Sequence, residues 1–199
     1  MPHTARVGAM LRRLTGMDCR ETGRPEDCLA GGGEMGALMR STDWSKSPLG
    51  PVESWPQSLR TSVSIMLASG FAIVVAWGPE FLFLYNDRYR QVLGATKHPR
   101  ALGRPAAEIF PEVWHFIGPL FEKTRSGQTV AVDDLLIPLD RYGYLEECFF
   151  TLSYSPIRDE SGGVGGMLAS VAETTERVQG ERRMRTRRDR AAIAPRAQT

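Results

Sequence analysis

The C-terminal half of the chain contains three stretches in which apolar and polar residues alternate with a period of two. They cover residues 130–139, 146–155 and 164–172. Each stretch has the length of a strand and is rich in β-branched and aromatic residues. Short groups of turn-forming residues, at 141–143 and 159–163, separate them. The pattern therefore predicts three strands that form an antiparallel meander.

Two further strands and several helices are predicted before this meander. Residues 72–77 are rich in Ile and Val, Gly78-Pro79-Glu80 predicts a tight reversal, and residues 81–85 resume the strand pattern. Helices are expected over three stretches, 86–93, 106–110 and 112–125. This order predicts an α+β domain in which a five-stranded antiparallel sheet is covered on one face by helices.

The N-terminal segment differs from this domain in its pattern. Residues 1–42 show no sustained period, contain the run Gly31-Gly32-Gly33 and offer few apolar anchors. We expect this segment to be disordered, or else to lie upstream of the natural start codon, which would then be Met35 or Met39.

Three further segments complete the domain organisation. Residues 43–70 predict a flanking segment whose helix begins after Ser54-Trp55-Pro56, a serine and proline suited to a first helical turn. The domain itself is assigned to residues 71–176. Residues 177–199 predict a charged helix or tail that carries the surplus of basic residues.

Composition and cysteine spacing limit the class of protein. Cys19, Cys28 and Cys148 match neither a disulfide framework nor a metal-binding knuckle, which favours a reducing compartment. The longest apolar stretch, residues 71–85, is interrupted at 78–80, so neither half could cross a bilayer core of about 30 Å. The N-terminus lacks the pattern of a secretory signal. We expect a cytoplasmic protein without a membrane span.

Short motifs recur at the ends of the predicted elements. They are Tyr85-Asn86-Asp87, Gly94, Gly103-Arg104-Pro105, and Ser155-Pro156-Ile157-Arg158-Asp159 with Gly162. Together they resemble the PAS family of sensor domains over about residues 70–176. A second set resembles the N-terminal PAS module of bacterial hybrid sensor histidine kinases. It comprises Asp43-Trp44, Pro48-Leu49-Gly50-Pro51, Ser54-Trp55-Pro56-Gln57-Ser58-Leu59, Trp77-Gly78-Pro79, Lys97-His98-Pro99 and Tyr154-Ser155-Pro156.

The resemblance implies a sensing or dimerisation module of two-component signalling and phosphorelay. Glu173-Thr174-Thr175-Glu176-Arg177 is similar to the motif by which PAS domains lead into a signalling helix. No phosphoacceptor histidine or nucleotide-binding box follows residue 176, so we expect a non-enzymatic sensor without kinase output. It would be a free-standing regulator or a truncated kinase, with a histidine kinase or other signalling protein as its partner. A homodimer would form through the flanking helices or the sheet face that carries Thr151 and Ser153.

The resemblance also implies a small-molecule cavity between the sheet and the helices. The candidate ligand contacts are Tyr85, Asn86, Tyr89, His98, His115, Phe121, Phe150 and Leu152. The wider apolar lining would add Ile73, Val75, Phe110, Ile117 and Leu168. Core packing explains the apolar members equally well, and Asn86 is also expected to be a helix N-cap.

The cofactor remains open at this point. His115 lies where haem-binding PAS proteins place an axial imidazole, but a partly exposed helical histidine is the alternative. A covalent flavin adduct requires a cysteine in the segment Gly103–Ala107, which has none, so that chemistry is not expected. Cys148 is expected to be a buried structural thiol.

Two other classes of function are compatible with the sequence. A small ligand-binding α+β enzyme would need a buried ionisable residue that faces the cavity, for which His98, His115 and Glu108 are candidates. A nucleic-acid-associated regulator would use the basic stretch Arg182–Arg188 and bind in a strongly salt-dependent way. The alternative for that stretch is a solvated signalling helix, because no aromatic residues are interleaved with the arginines.

Overall fold

A computed structural model describes residues 25–193 of the chain. Its five strands are β1 (Ala72–Trp77), β2 (Leu82–Tyr85), β3 (Val130–Asp140), β4 (Leu145–Arg158) and β5 (Val164–Glu173). The α-helices in this part of the chain are α1 (Gly33–Ser41), α2 (Gln57–Ala68), α3 (Arg90–Lys97), α4 (Ala106–Ile109), α5 (Trp114–Arg125) and α6 (Thr175–Ile193). Short 3-10 helices cover Pro25–Leu29, Trp44–Lys46, Val52–Ser54 and Asp87–Tyr89.

The strands form one antiparallel sheet in the order β2-β1-β5-β4-β3. The meander of β3, β4 and β5 places β5 beside β1, where Val74 pairs with Ala169. The predicted α+β class and the five-stranded antiparallel sheet are confirmed.

The first face of the sheet, which carries Phe83, Leu152 and Tyr154, is covered by helices α3, α4 and α5. Alternation along the strands brings these side chains to one side. The Phe83 ring lies 5.6 Å from that of Phe110, which follows α4, and the Tyr154 ring lies 5.2 Å from Phe121 in α5. The aromatic core of the domain therefore sits between this face and these three helices.

The second face is also covered in part, which the sequence-based prediction of helices on one face did not anticipate. Val75 and Leu84 point to this side and are fully buried. Helix α2 contacts β1, β2, β4 and β5, and its Val63 and Met66 are fully buried. The sequence predicted helix α2, but its apolar stripe does not say which surface it covers.

The structure differs from the expectation of disorder over residues 25–42. In α1, Met35 and Met39 are four residues apart on one helix face and are completely buried. The Asp87 carboxylate accepts a hydrogen bond of 2.8 Å from the Met35 amide, which satisfies a free donor in the first turn. One pair of buried methionines is too short a pattern to indicate a helix, and its polar partner lies 52 residues away. Residues 1–24 lie outside the described part of the chain.

Glycines let α1 pack closely on the turn that precedes it. Gly31, Gly32 and Gly33 all adopt positive φ, a conformation that other residues rarely take. Gly36 lies against the Gly31 carbonyl oxygen, so that a methyl group at Gly36 would overlap it. This contact fixes the direction in which α1 leaves the glycine run.

The described residues include no helix that is long and apolar enough to cross a membrane. Cys28 and Cys148 are buried free thiols, as predicted for Cys148. Cys19 lies outside the described residues.

Candidate functional site

A cavity of about 30 Å³ lies between the first face of the sheet and the helices that cover it. Its lining comprises Tyr89, Val92, Phe110, Ile117, Phe121, Ile137, Leu139, Phe150, Leu152, Tyr154 and Val171. No member of this set carries a charge. The volume has room for about two water molecules, whereas cavities for drug-sized ligands measure hundreds of Å³.

Tyr89 and Tyr154 are the members of this lining whose side chains carry a polar group. Burial raises the pKa of both phenols, and Tyr154 contributes to the rise at Tyr89. Each side chain is more than nine-tenths buried. Both phenols are therefore neutral near pH 7, and each can donate and accept a hydrogen bond.

The cavity contains four of the eight residues that the sequence analysis proposed as ligand contacts: Tyr89, Phe121, Phe150 and Leu152. Their contact with a ligand stays a prediction. Of the wider apolar lining, Phe110 and Ile117 also border the cavity. Ile73, Val75 and Leu168 were placed wrongly, because strand alternation turns them to the second face.

Tyr85 and His98 form a separate pair beside the cavity. The Tyr85 hydroxyl lies 2.9 Å from Nδ1 of His98, and the Tyr85 side chain is fully buried. Desolvation, followed by the charge of Arg90, lowers the pKa of His98. These two residues contact each other and do not line the cavity.

Asn86 has a structural role that occupies its whole side chain. Its amide nitrogen donates to the carbonyl oxygens of Met66 at 3.0 Å and Phe71 at 2.7 Å. Its Oδ1 accepts from the backbone amides of Ile73 and Tyr89, each at 3.2 Å. The bond from Tyr89 confirms the predicted N-cap. With these groups used, the side chain is not free to bind a ligand, contrary to its place among the candidates.

His115 lies on the exposed side of α5 and does not line the cavity. The structure therefore does not bring His115 to the cavity, and its contact with a ligand stays a prediction. Helix α5 turns Ile117 and Phe121 inward, and His115 is not in phase with them. The residues also do not fit a haem, because the cavity is far smaller than a porphyrin and its lining offers no imidazole or thiolate.

The candidates for acid–base chemistry are not assembled into a site. Glu108 is exposed and pairs with Arg104 at 2.6 Å on the surface, while His98 contacts Tyr85. Within residues 25–193 there is also no group of three or more His, Cys, Asp or Glu side chains that could hold a metal ion. The lining of the cavity includes none of the three candidates, His98, His115 and Glu108.

A second polar cluster joins the sheet to the start of α6. A β-bulge between Val132 and Leu135 gives Asp134 a positive φ of 52° and redirects its side chain. Its carboxylate accepts a hydrogen bond of 2.7 Å from the Thr174 hydroxyl and another from Arg177. Arg177 and then Thr174 hold the pKa of Asp134 below its usual value.

Arg141 also joins the sheet to the residues just before α6. Its buried guanidinium donates to the carboxylates of Glu173 at 2.8 Å and Glu146 at 2.9 Å, and to the Cys148 sulfur at 3.1 Å. The Arg141 carbonyl accepts from the Thr96 amide. Sequence reasoning placed Arg141 in a turn and found no role for Asp134, because their partners lie 32 and 40 residues further along the chain.

A family model described as the PAS fold matches residues 69–179, which is more than half of the chain. The chain belongs to the PAS family. The resemblance inferred from the motifs is thereby confirmed, and this PAS domain extends a few residues beyond the predicted span.

Several solved structures are similar to this PAS domain. An RNA-binding light-oxygen-voltage receptor is 19% identical with a TM-score of 0.47, and the match covers 63% of this chain and 35% of the receptor. A sensory box sensor histidine kinase from Vibrio cholerae is 16% identical with a TM-score of 0.42, covering 58% of this chain and 90% of that chain. The PAS domain of the histidine kinase ThkA is 19% identical with a TM-score of 0.39, covering 51% and 97%. No curated protein matches the sequence.

Proposed function

We propose that this PAS domain is a sensor of bacterial two-component signalling, which responds to a small molecule in its cavity and passes the response through α6 to a histidine kinase or related output protein. The observation that supports this is the position of β3. Ile137 and Leu139 of β3 line the cavity. Asp134 and Arg141, on either side of them, bond to the segment that begins α6.

The geometry of β3 supports coupling between the cavity and the exit of the domain. A molecule that pushes Ile137 or Leu139 outward must move the strand that holds them. The same movement shifts the carboxylate of Asp134 and the guanidinium of Arg141 relative to Thr174 and Glu173. Hydrogen bonds weaken steeply with distance and angle, so small shifts of β3 change how α6 is held.

The first turns of α6 rest on the sheet, and residues 183–189 that follow are exposed. Val178 is buried, and the guanidinium of Arg182 lies 4.6 Å from the centre of the Phe149 ring on the second face. Met184, half a turn further on, is 54% exposed. The docked part, residues 175–182, is thus the part whose contacts a movement of the sheet would change.

The remaining parts of the proposal concern assembly and location. The domain would act without catalysis in the cytoplasm. A homodimer would form through the second face near Thr151 and Ser153, which are both partly accessible.

A cavity-filling substitution tests this relay, by which we mean the proposed coupling between the cavity and α6. Ile137→Phe enlarges a side chain that borders the cavity, whereas Ile65→Phe makes the same change at an exposed position of α2. We expect Ile137→Phe to alter hydrogen exchange of the amides in residues 175–182 by several-fold, and Ile65→Phe to leave it unchanged. Hydrogen exchange of the amides in β1 serves as the control, because it rises when the whole domain is destabilised.

The relay is wrong if Ile137→Phe leaves the exchange of residues 175–182 as it is in the native chain. It is also wrong if exchange in β1 and in α6 rises equally, because that result indicates general loss of stability.

A further inference from the structure

The hydroxyl groups of Tyr89 and Tyr154 make the cavity chemically selective. Neither hydroxyl takes part in any hydrogen bond found among residues 25–193, although other buried polar side chains there, such as Asn86 and Thr124, are bonded. Every fully enclosed side-chain oxygen in this part of the chain has a partner. The hydroxyl oxygens of Tyr89 and Tyr154 therefore each keep some accessible surface, and both residues line the cavity.

A buried hydroxyl without a protein partner is costly, and a bound molecule that supplies the partner recovers that cost. The two phenols come from different elements, Tyr89 from the 3-10 helix before α3 and Tyr154 from β4. A molecule bonded to both would link the helical layer to the sheet. This arrangement favours a ligand with at least one hydrogen-bonding group.

The rest of the lining opposes charge. Its other members are aliphatic and phenylalanine side chains, so an ionised ligand would lose its hydration without gaining an opposite charge. The nearest buried cation, Lys97, is taken up by Glu112 at 2.8 Å and by the Ile109 carbonyl. Anions and cations are both disfavoured.

From this lining, we infer that the cavity selects a small, neutral, largely apolar molecule that hydrogen-bonds to Tyr89 and Tyr154. The inference rests on the proposed sensory function and specifies the class of molecule sensed. The volume of about 30 Å³ limits the ligand to a few non-hydrogen atoms, or to one small ring when the lining side chains move slightly.

Three five-membered rings of similar size test this class in the full chain. Pyrazole is neutral and forms hydrogen bonds, thiophene is neutral and forms none of comparable strength, and imidazole is mostly a cation at pH 6. We expect NMR titrations at pH 6 to give saturable binding of pyrazole, with imidazole at least ten-fold weaker. At pH 8.5, where imidazole is neutral, its binding should approach that of pyrazole.

Removal of each hydroxyl tests the two residues. Tyr89→Phe and Tyr154→Phe should each weaken pyrazole binding about five- to ten-fold, as expected for one hydrogen bond, and leave thiophene binding unchanged. Tyr144→Phe, at an exposed tyrosine, is the matched control. Urea unfolding of each variant shows that the fold is intact.

Three results would overturn the inference: no saturable pyrazole binding, equal binding of imidazole at pH 6, or pyrazole affinities that neither phenylalanine variant changes. The exchange experiment on residues 175–182 distinguishes this failure from failure of the proposed function. If Ile137→Phe alters that exchange while no ring binds, only the ligand class is wrong. If pyrazole binds as expected but exchange never responds, the ligand class stands and the relay is wrong.

Discussion

At the scale of single residues, Asn86 shows how much one side chain can hold in place. It joins the end of α2, the start of β1 and the 3-10 helix that precedes α3. The bonds to the Met66 carbonyl and from the Tyr89 amide are buried, so these two backbone groups cannot turn to water when the side chain is removed. Asn86 therefore fixes the edge of the sheet to both helical layers.

We predict that Asn86→Ala lowers the free energy of unfolding by about 3 kcal/mol, because it leaves the buried Met66 carbonyl and the buried Tyr89 amide without this partner and removes the part-buried bonds as well. Urea unfolding of the full chain measures this. Gln57→Ala removes another side-chain amide, but an exposed one, and should change stability by less than about 0.5 kcal/mol. Equal effects of the two substitutions would contradict the role given to Asn86.

The sequence predicts the N-cap role of Asn86 but not its bonds to the end of α2 and the start of β1. An asparagine before a short helix predicts the N-cap, because the capped amide of Tyr89 is only three residues away. Its bonds to Met66 and Phe71 depend on how α2 meets β1, and no local pattern reports that. In the same way the sequence predicted Tyr89 as a cavity residue but not Tyr154, and the lack of a bonding partner for either hydroxyl among residues 25–193 is a result of packing.

At the scale of elements, Gly36 in α1 and Gly180 in α6 lie in contrasting surroundings. Alanine favours a helix over glycine by about 1 kcal/mol where nothing else changes. A side chain at Gly36 would overlap the Gly31 carbonyl, whereas the space around Gly180 is open. The two positions thus separate helix propensity from packing.

We predict that Gly36→Ala destabilises the chain by about 2 kcal/mol and makes residues 25–41 more sensitive to proteolysis. Gly180→Ala should be neutral or slightly stabilising. Urea unfolding and limited proteolysis of both variants check this. Were Gly36→Ala as stable as the native chain, the close packing of α1 on its glycine turn would be refuted.

The strands could be predicted more fully than the helices around them. Period-two alternation persists for eight or more residues in β3, β4 and β5, and the structure extends each of them by only a few residues. Helix α1 and the bulge at Asp134 depend on contacts with distant residues, Asp87 and Thr174. Their local sequence therefore carries little information about them.

At the scale of the whole molecule, one exposed aromatic residue indicates where a second copy would bind. Phe71 is 76% exposed and lies just after the C-terminal end of α2. Strand alternation places Phe71 on the side of Val75, the second face. The proposed homodimer would bury this side chain.

We predict that the native chain elutes as a dimer in light-scattering chromatography and that Phe71→Ser shifts it toward the monomer mass of 22.1 kDa. Phe116→Ser, at an exposed phenylalanine of α5 on the other side of the sheet, should leave the dimer unchanged. A monomeric native chain, or equal effects of both substitutions, would rule out this interface.

The hairpin between β4 and β5 also contacts α2, far away in sequence. The carboxylate of Glu160 accepts a hydrogen bond of 2.7 Å from the Ser58 amide in the first turn of α2, 102 residues earlier. The Ser58 hydroxyl donates to the same carboxylate. Fraying of this helix end breaks its bonds to the hairpin, so the opening of one segment removes a contact that orders the other.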